Sequence, residues 1–166
     1  MKNILITGGC GFIGTNFIHY LLSNPDFDGR VINIDKLTYA GNLENLISVE
    51  KKFRERYIFI QADICDSNAL KDVFETYALD TICHFAAESH VDRSIAAPDA
   101  FIKTNIEGTF CLLEMARRQQ NRLILFHHVS TDEVYGSLGD EGLFLEDTSY
   151  DPKSPYSAAK SAALIQ

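Results

Sequence analysis

The sequence predicts an α/β fold in which a doubly wound parallel sheet carries helices on both of its faces. Short, nearly continuous apolar runs recur along the chain, which is typical of strands that are buried on both sides. Segments with helical periodicity separate these runs. A strand followed by a helix, five times over, favours parallel strands joined by right-handed crossovers. A glycine-rich turn directly after the first run is the third observation.

Each predicted element follows from its own pattern of apolar residues. The strands are predicted at NILIT from Asn3, VINID from Val31, YIFIQAD from Tyr57, DTICHFAA from Asp80 and LILFHHVST from Leu123. Helices are predicted over 12–23, 43–51, 67–77 and 98–121. A last helix is predicted from Pro155 to Gln166, because Ser154 can cap it and proline suits the first helical position.

Composition limits the class of protein. The chain has 166 residues, 46% of them hydrophobic, so we expect one domain over residues 1–166. A formal net charge of -8 argues against a nucleic-acid or anionic membrane surface. Long apolar runs are absent from the sequence, so no membrane partner and a cytoplasmic location are expected. The histidine and cysteine spacings do not fit a metal site, and we predict none.

The first predicted strand leads into TGGCGFIG, in which Gly8, Gly11 and Gly14 occupy positions one, four and seven. Between a strand and a helix, such glycines allow a tight turn and close approach of backbone N–H groups to a pyrophosphate. Asp35 lies 21 positions after Gly14, near the offset expected for an acid on the adenosine ribose. We therefore predict a Rossmann-like domain that binds NAD in preference to NADP, although Lys36 weakens that preference.

Tyr156 and Lys160 lie four residues apart in PYSAAK and would share one face of a helix. A phenol is a poor base at neutral pH unless a nearby ammonium stabilises its anion. Lys160 can supply that charge, and Thr131 at the end of the fifth strand can supply a hydrogen bond. The three residues are predicted to remove a proton from a substrate alcohol while its hydride passes to the cofactor.

The chain closely resembles the N-terminal part of the dTDP-glucose 4,6-dehydratases, a family of the extended short-chain dehydrogenase/reductase superfamily. The resemblance is carried by ILITGGCGFIG, DKLTYAGN, DICD, HFAAESHVDRSI, TNIEGT, STDEVYG and PYSAAK. The segments ESHVDRS and TDEVYG are the more specific, because sugar-nucleotide epimerases and decarboxylases resemble the rest but lack the acid pair there. The resemblance implies that NAD is the cofactor and a dTDP-sugar the substrate.

The resemblance also implies a role for individual residues. Asp132 would protonate the departing C6 hydroxyl, Glu133 would remove the C5 proton, and Tyr156 would be the base for oxidation at C4. Ser89 and Thr131 would contact the sugar. The implied cofactor contacts are Phe12 and Ile13 at the pyrophosphate, Asp35, Lys36, Leu37 and Thr38 at the adenosine ribose, Asp63 and Ile64 at the adenine, Phe85, Ala86, Ala87, Glu88, Ser89 and Thr104 along the cleft, and Tyr156 and Lys160 at the nicotinamide ribose.

The implied chemistry accounts for an adjacent acid pair. Oxidation of C4 to a ketone acidifies the C5 hydrogen, water leaves across C5 and C6, and a hydride returns to C6. Elimination needs one protonated and one charged carboxyl group, a division that proximity and unequal burial can enforce. Adjacent side chains of a strand face opposite ways. We therefore expect the strand to end near Thr131, with both carboxylates turned toward a cleft beside Tyr156.

Members of this family are about twice as long, so the C-terminal substrate domain is expected to be missing from these 166 residues, and the fragment alone is expected to be inactive. The family also implies a homodimer through the 98–121 and 155–166 helices. A role in the synthesis of a deoxysugar such as rhamnose follows from the same resemblance. Two alternatives stay open: an epimerase or decarboxylase acting on a UDP-sugar, and a non-catalytic dinucleotide-binding sensor.

Overall fold

The computed structural model describes residues 2–119, 124–139 and 141–165, which divide into two compact units. The first unit comprises Met1–Ala86 and Cys111–Val129, and the second comprises Ala87–Phe110 and Ser130–Gln166. The single domain expected over residues 1–166 stays a prediction. No helix within the described ranges has both the length and the apolar character needed to cross a bilayer.

The first unit is built on a parallel sheet, as predicted. Its strands among the described residues are β1 (Asn3–Thr7), β2 (Arg30–Asp35), β3 (Tyr57–Gln61), β4 (Thr81–His84) and β5 (Leu125–His128). They pair in the order β3-β2-β1-β4-β5, and every pair is parallel. The order therefore reverses between β1 and β4, and ligands of open α/β sheets bind at the carboxyl ends of strands beside such a point.

Both faces of the sheet are buried, which explains why the strands are apolar without alternation. One face carries Leu5, Ile32 and Ile82 into a cluster with side chains from the helix over 67–76. The opposite face carries Ile6 and Cys83 into a second cluster with side chains from the helix over 12–23. Successive residues of β1 to β4 thus enter different clusters, whereas in β5 Phe126 packs against the first cluster and Leu125 is 65% exposed.

Three of the predicted helices surround this sheet. They are α1 (Phe12–Ser23), which has the predicted bounds, α2 (Ile47–Lys52) and α3 (Ser67–Thr76). The helix predicted over 43–51 is a 3-10 turn (Leu43–Leu46) followed by the short α2. Asp66 is the N-cap of α3, and its carboxylate accepts hydrogen bonds from the N–H groups of Asn68 and Ala69.

The long helix predicted over 98–121 is divided into three segments. They are α5 (Pro98–Phe101), a π-helical segment (Ile102–Gly108) and α6 (Thr109–Arg117). The Thr109 hydroxyl donates to the Asn105 carbonyl over 2.7 Å, within the region where the helical ladder changes. The predicted end at Asn121 lies outside the described residues.

The second unit also contains one helix that the sequence did not predict. This is α4 (Val91–Ala96), a helix of six residues whose N-cap, His90, makes no side-chain capping bond. Its shortness and the missing cap leave little periodic signal to recognise. The last helix, α7 (Pro155–Ile165), begins where predicted, and the N–H of Ser157 donates to the Ser154 hydroxyl over 3.0 Å. Its predicted end at Gln166 lies outside the described residues.

Three strands end earlier than predicted. They end at Gln61, His84 and His128, whereas the sequence predicted strand structure as far as Asp63, Ala87 and Thr131. The sheet register aligns His84 and His128 with Thr7, because His84 pairs with both, and it aligns Gln61 with Asp35 at the end of β2. Since β1 turns away at the glycines, β4 loses its pairing partner there. The predicted start of the fifth strand at Leu123 lies outside the described residues.

Candidate functional site

The glycine-rich turn after β1 is packed so closely that Gly8 and Gly14 have no room for a side chain. Gly8 has a φ of +71°, and a Cβ there would lie 2.7 Å from the Cα and N atoms of Ala86. A Cβ at Gly14 would collide with the Gly8 carbonyl oxygen. The turn is also joined to the end of β4, where the Phe85 N–H donates to the Thr7 carbonyl over 3.1 Å. The spacing of the glycines therefore reflects backbone packing, as the sequence indicated.

The N-terminus of α1 is open to a ligand. Gly11 caps the helix without a side-chain bond, and the first turn contains no acidic residue. Phe12 and Ile13, the predicted pyrophosphate contacts, are 84% and 60% exposed. Backbone N–H groups at such a helix start carry partial positive charge, so the residues present fit a pyrophosphate.

Asp35 is fixed at the end of β2 by the backbone around it. One carboxylate oxygen accepts from the Cys10 N–H over 2.9 Å, and the other accepts from the Leu37 N–H over 2.8 Å. Leu37 has a φ of 59°. Asp35 thus connects the glycine-rich turn to the segment after β2, and its remaining lone pairs suit ribose hydroxyls. A fixed anion at this point disfavours a 2′-phosphate.

The predicted adenine contacts, Asp63 and Ile64, differ in their surroundings. Asp63 accepts from the Cys65 N–H over 3.0 Å and forms an ion pair with Lys36, with 3.5 Å between Nζ and Oδ2. Burial raises the pKa of Asp63, but the Cys65 N–H and the Lys36 ammonium together lower it below its usual value. The Ile64 side chain is buried in the core, so only its backbone can reach a ligand. Thr38 is partly exposed.

In the second unit, the predicted cleft residues 87–89 are held by a side chain that the sequence did not single out. The Glu88 N–H donates to Asn105 Oδ1 over 2.9 Å, and Asn105 Nδ2 donates to the Glu88 carbonyl over 2.9 Å. Asn105 lies in the π-helical segment and is 1% exposed. The one sequence feature that could have indicated this role is an asparagine in the middle of a predicted helix, where its amide needs hydrogen-bond partners if it is buried. Thr104, the predicted neighbour, is also buried, whereas Ser89 is exposed.

The acid pair lies on a single 3-10 turn, Asp132–Tyr135. Thr131 caps this turn, and its hydroxyl accepts from the Glu133 N–H over 3.3 Å. The backbone has therefore left the strand before the pair, as expected, although β5 already ends at His128. Both acids are exposed, so the described residues do not supply the unequal burial that the sequence argument invoked.

Tyr156 is buried on α7. Thr131, Asp132 and Glu133, which were predicted to act with it, all affect the pKa of its phenol. Burial raises the pKa of Tyr156, the hydrogen bond from Thr131 lowers it, and the charges of Glu133 and Asp132 raise it further. The net pKa lies above the ordinary value of 10.0. The role of Thr131 in stabilising the Tyr156 anion stays a prediction, and the described surroundings keep the phenol protonated at neutral pH.

Lys160 follows Tyr156 by one helical turn and is 4% exposed. Burial lowers the pKa of its ammonium to about 8, because a charged group is poorly solvated inside a protein. The amine is therefore still mostly protonated at neutral pH but close to its titration point. Such a group can carry a positive charge beside a cofactor or release it when the pH rises.

The glycine-rich turn after β1 and the Tyr-Lys pair on α7 define a chain of the short-chain dehydrogenase/reductase class. The family model described as GDP-mannose 4,6 dehydratase matches residues 5–165, and the chain belongs to this family. It is 54% identical over 167 residues to a probable dTDP-glucose 4,6-dehydratase of Sinorhizobium fredii, covering 96% of this chain and 46% of that protein. It is 51% identical to the dTDP-glucose 4,6-dehydratase of Neisseria gonorrhoeae, covering 98% and 48%.

Solved structures give the same picture. The dTDP-glucose 4,6-dehydratase of Streptomyces venezuelae, with NAD and TYD bound, matches with a TM-score of 0.88 and 44% identity, covering 99% of this chain and 50% of that one. The UDP-glucose 4-epimerase of Thermotoga maritima, with UDP-glucose, matches with a TM-score of 0.82 and 30% identity, covering 99% and 49%. The chain thus spans about half the length of the relatives it matches.

Proposed function

We propose that the protein is an NAD-dependent dehydratase that converts dTDP-glucose to dTDP-4-keto-6-deoxyglucose. The observation that carries the proposal is the 3-10 turn that presents Asp132 and Glu133 together, with both charges acting on the Tyr156 phenol. An epimerase needs a base at C4 but has no elimination to perform. Among the solved structures named above, identity to the dehydratase is also higher than identity to the epimerase, at 44% against 30%.

The chain's residues toward NAD are the open start of α1, the fixed Asp35 carboxylate and the Lys36–Asp63 pair. When bound, the cofactor accepts a hydride from C4 of the sugar and later supplies one to C6. Tyr156 takes the proton of the C4 hydroxyl. Because the described surroundings raise the pKa of that phenol, the Lys160 ammonium and the Thr131 hydroxyl are needed to stabilise its anion.

Elimination falls to the acid pair. Glu133 removes the proton from C5, and Asp132, in its protonated form, gives a proton to the C6 hydroxyl, which leaves as water. After the hydride reaches C6, Glu133 returns a proton to C5. The sugar has then lost one water and kept its oxidation level, so the cofactor is regenerated. Ser89 and Thr131 are the residues proposed to hold the sugar.

The decisive experiment uses the protein at its full natural length, with dTDP-glucose in deuterated water. We expect a 4-keto-6-deoxy product that carries deuterium at C5. In the Glu133→Gln variant, C5 exchange should be lost while enzyme-bound NADH still forms, and Glu146→Gln should behave as the unmodified protein. A product that retains its C5 hydrogen, or exchange that survives in Glu133→Gln, would contradict the role of Glu133.

An epimerase acting on a UDP-sugar is the second candidate function, supported by the structural match to the epimerases. It predicts inversion at C4 without loss of water. A sensor would bind the dinucleotide and convert neither sugar. The same incubation, repeated with UDP-glucose, therefore separates the three functions by their products.

We further propose that the complete protein is a homodimer that contributes to deoxysugar synthesis in the cytoplasm. The homodimer is supported by exposed apolar side chains on the 98–117 helical run and on α7, namely Ile102, Phe110, Leu164 and Ile165. Light scattering of the full-length protein tests the assembly. Replacing both Ile102 and Ile165 with glutamate should give monomers if these helices form the interface.

A further inference from the structure

Lys36 and Asp63 meet at the carboxyl edge of the sheet. Lys36 directly follows Asp35, the last residue of β2, and Asp63 follows β3. The two strands are neighbours, and Asp35 is paired in register with Gln61. The 3.5 Å distance between Lys36 Nζ and Asp63 Oδ2 therefore joins the ends of two adjacent strands.

The lysine follows one carboxylate in the chain and pairs with another, and backbone groups fix the positions of both carboxylates. Asp35 accepts from two N–H groups, one on each oxygen. Asp63 is held through Oδ1 by the Cys65 N–H, which leaves Oδ2 for the ammonium. These three side chains, two anions and one cation, sum to a charge of -1 where a phosphate on the adenosine ribose would have to be accepted or rejected.

A lysine directly after the ribose-binding acid would, without Asp63, be a suitable partner for a 2′-phosphate. We propose that Asp63 is a specificity-determining residue that engages Lys36 and so makes the site reject dinucleotides with a 2′-phosphate. The inference rests on the proposed binding of NAD. It goes beyond an adenine contact, because it assigns to Asp63 an effect on the phosphate that distinguishes the two cofactors.

The strength of the effect follows from exposure. Both side chains are 32% exposed, and ion pairs of this kind are weak because water competes for them. A 2′-phosphate could therefore draw Lys36 away, but the Asp63 carboxylate would stay and repel the phosphate. Removing that one charge releases the lysine and removes a repulsion, and we expect NADP⁺ to bind about tenfold more tightly.

The test measures the dissociation constants of NAD⁺ and NADP⁺ by calorimetry on the protein at its full natural length. Asp63→Asn keeps an oxygen for the Cys65 N–H and loses the charge. The ratio of the two constants is the readout, because a lost adenine contact weakens both cofactors equally and leaves the ratio unchanged. We expect the ratio to shift about tenfold toward NADP⁺, and less at high salt, which screens charges.

Two further variants make the experiment specific. Asp63→Asn combined with Lys36→Met should lose the part of the gain that the released lysine supplies, and Asp72→Asn, an exposed acid on α3, should leave the ratio unchanged. An unchanged ratio in Asp63→Asn, or a gain that persists in full without the lysine, overturns the inference while NAD⁺ binding leaves the proposed function intact. Failure of the unmodified protein to bind either dinucleotide overturns both.

Discussion

The ring of Tyr135 lies 5.2 Å from the ring of Phe144, centroid to centroid, and 5.5 Å from the ring of Tyr150. Tyr135 is the last residue of the turn that carries the acid pair. The residue after Tyr150 also contacts the same turn, because the Asp151 N–H donates to the Val134 carbonyl over 3.0 Å. A 3-10 turn of four residues has few hydrogen bonds of its own. We therefore infer that the ring contacts of Tyr135 and the Asp151–Val134 hydrogen bond fix the orientation of the turn that carries Asp132 and Glu133.

The first prediction concerns that aromatic contact. In Tyr135→Ala, the acids lose their support while Tyr156 and Lys160 keep their positions on α7. Elimination should slow by about ten- to a hundredfold, since small displacements of catalytic groups have effects of that size. Oxidation at C4 should be little changed, so enzyme-bound NADH accumulates and its absorbance rises during turnover.

Tyr135→Phe is the matched control for this variant, because it keeps the ring and removes only the hydroxyl. It should turn over without accumulation of NADH. If Tyr135→Ala slowed oxidation and elimination to the same extent, the contact would serve overall stability instead of the position of the acids.

The second prediction concerns the turn after β1. Gly8→Ala places a Cβ 2.7 Å from the backbone of Ala86 at a φ of +71°. The free energy of unfolding should fall by about 1 to 3 kcal/mol, and NAD⁺ binding should weaken because the turn must shift. Urea unfolding and calorimetry measure the two effects. Gly139→Ala is the control, since a Cβ there meets no atom within 4 Å, and equal behaviour of the two variants would contradict the packing argument.

The third prediction tests a buried hydrogen bond beneath that turn. Asn33 Nδ2 donates to the Tyr57 hydroxyl over 2.9 Å, and Asn33 is completely buried. Burial raises the pKa of Tyr57 to about 12, so the phenol stays neutral. Tyr57→Phe leaves a buried N–H without its acceptor and should lower the free energy of unfolding by about 1 to 3 kcal/mol. Tyr20→Phe, at an exposed site, should have no measurable effect in the same urea titration, and equal stability of the two variants would refute the cost.

Sequence patterns predicted the sheet because β1 to β4 pack against hydrophobic clusters on both faces, and such burial produces apolar runs such as Asn3–Thr7. The same patterns predicted α1 with its bounds, because its periodicity is continuous from Phe12 to Ser23. The early end of β4 at His84 left no such record. It depends on where β1 turns away, and that partner lies far along the chain.

Contacts between distant residues set the limits of prediction within the site. The amide of Asn105 holds Glu88, 17 residues earlier, and no spacing rule connects the two. The Lys36–Asp63 pair likewise joins segments that only the pairing of β2 with β3 brings together. The Tyr156–Lys160 pair could be predicted because it depends only on the period of one helix.

The last prediction concerns the buried charge of Lys160. Its pKa of about 8 lies below the ordinary 10.5, so the unfolded chain holds this proton more tightly than the folded protein does. The folded state bears the cost of a buried ammonium below pH 8, and the cost disappears as the pH rises from 8 to 10.5. Lys160→Met should therefore raise the free energy of unfolding at pH 7 by about 1 to 3 kcal/mol, with a smaller gain near pH 10.

The same variant should lose oxidation at C4, because Tyr156 loses its neighbouring cation. Urea titrations at both pH values measure the gain, Lys51→Met on an exposed face of α2 is the control, and a loss of stability at pH 7 would show that the ammonium is well accommodated where it lies.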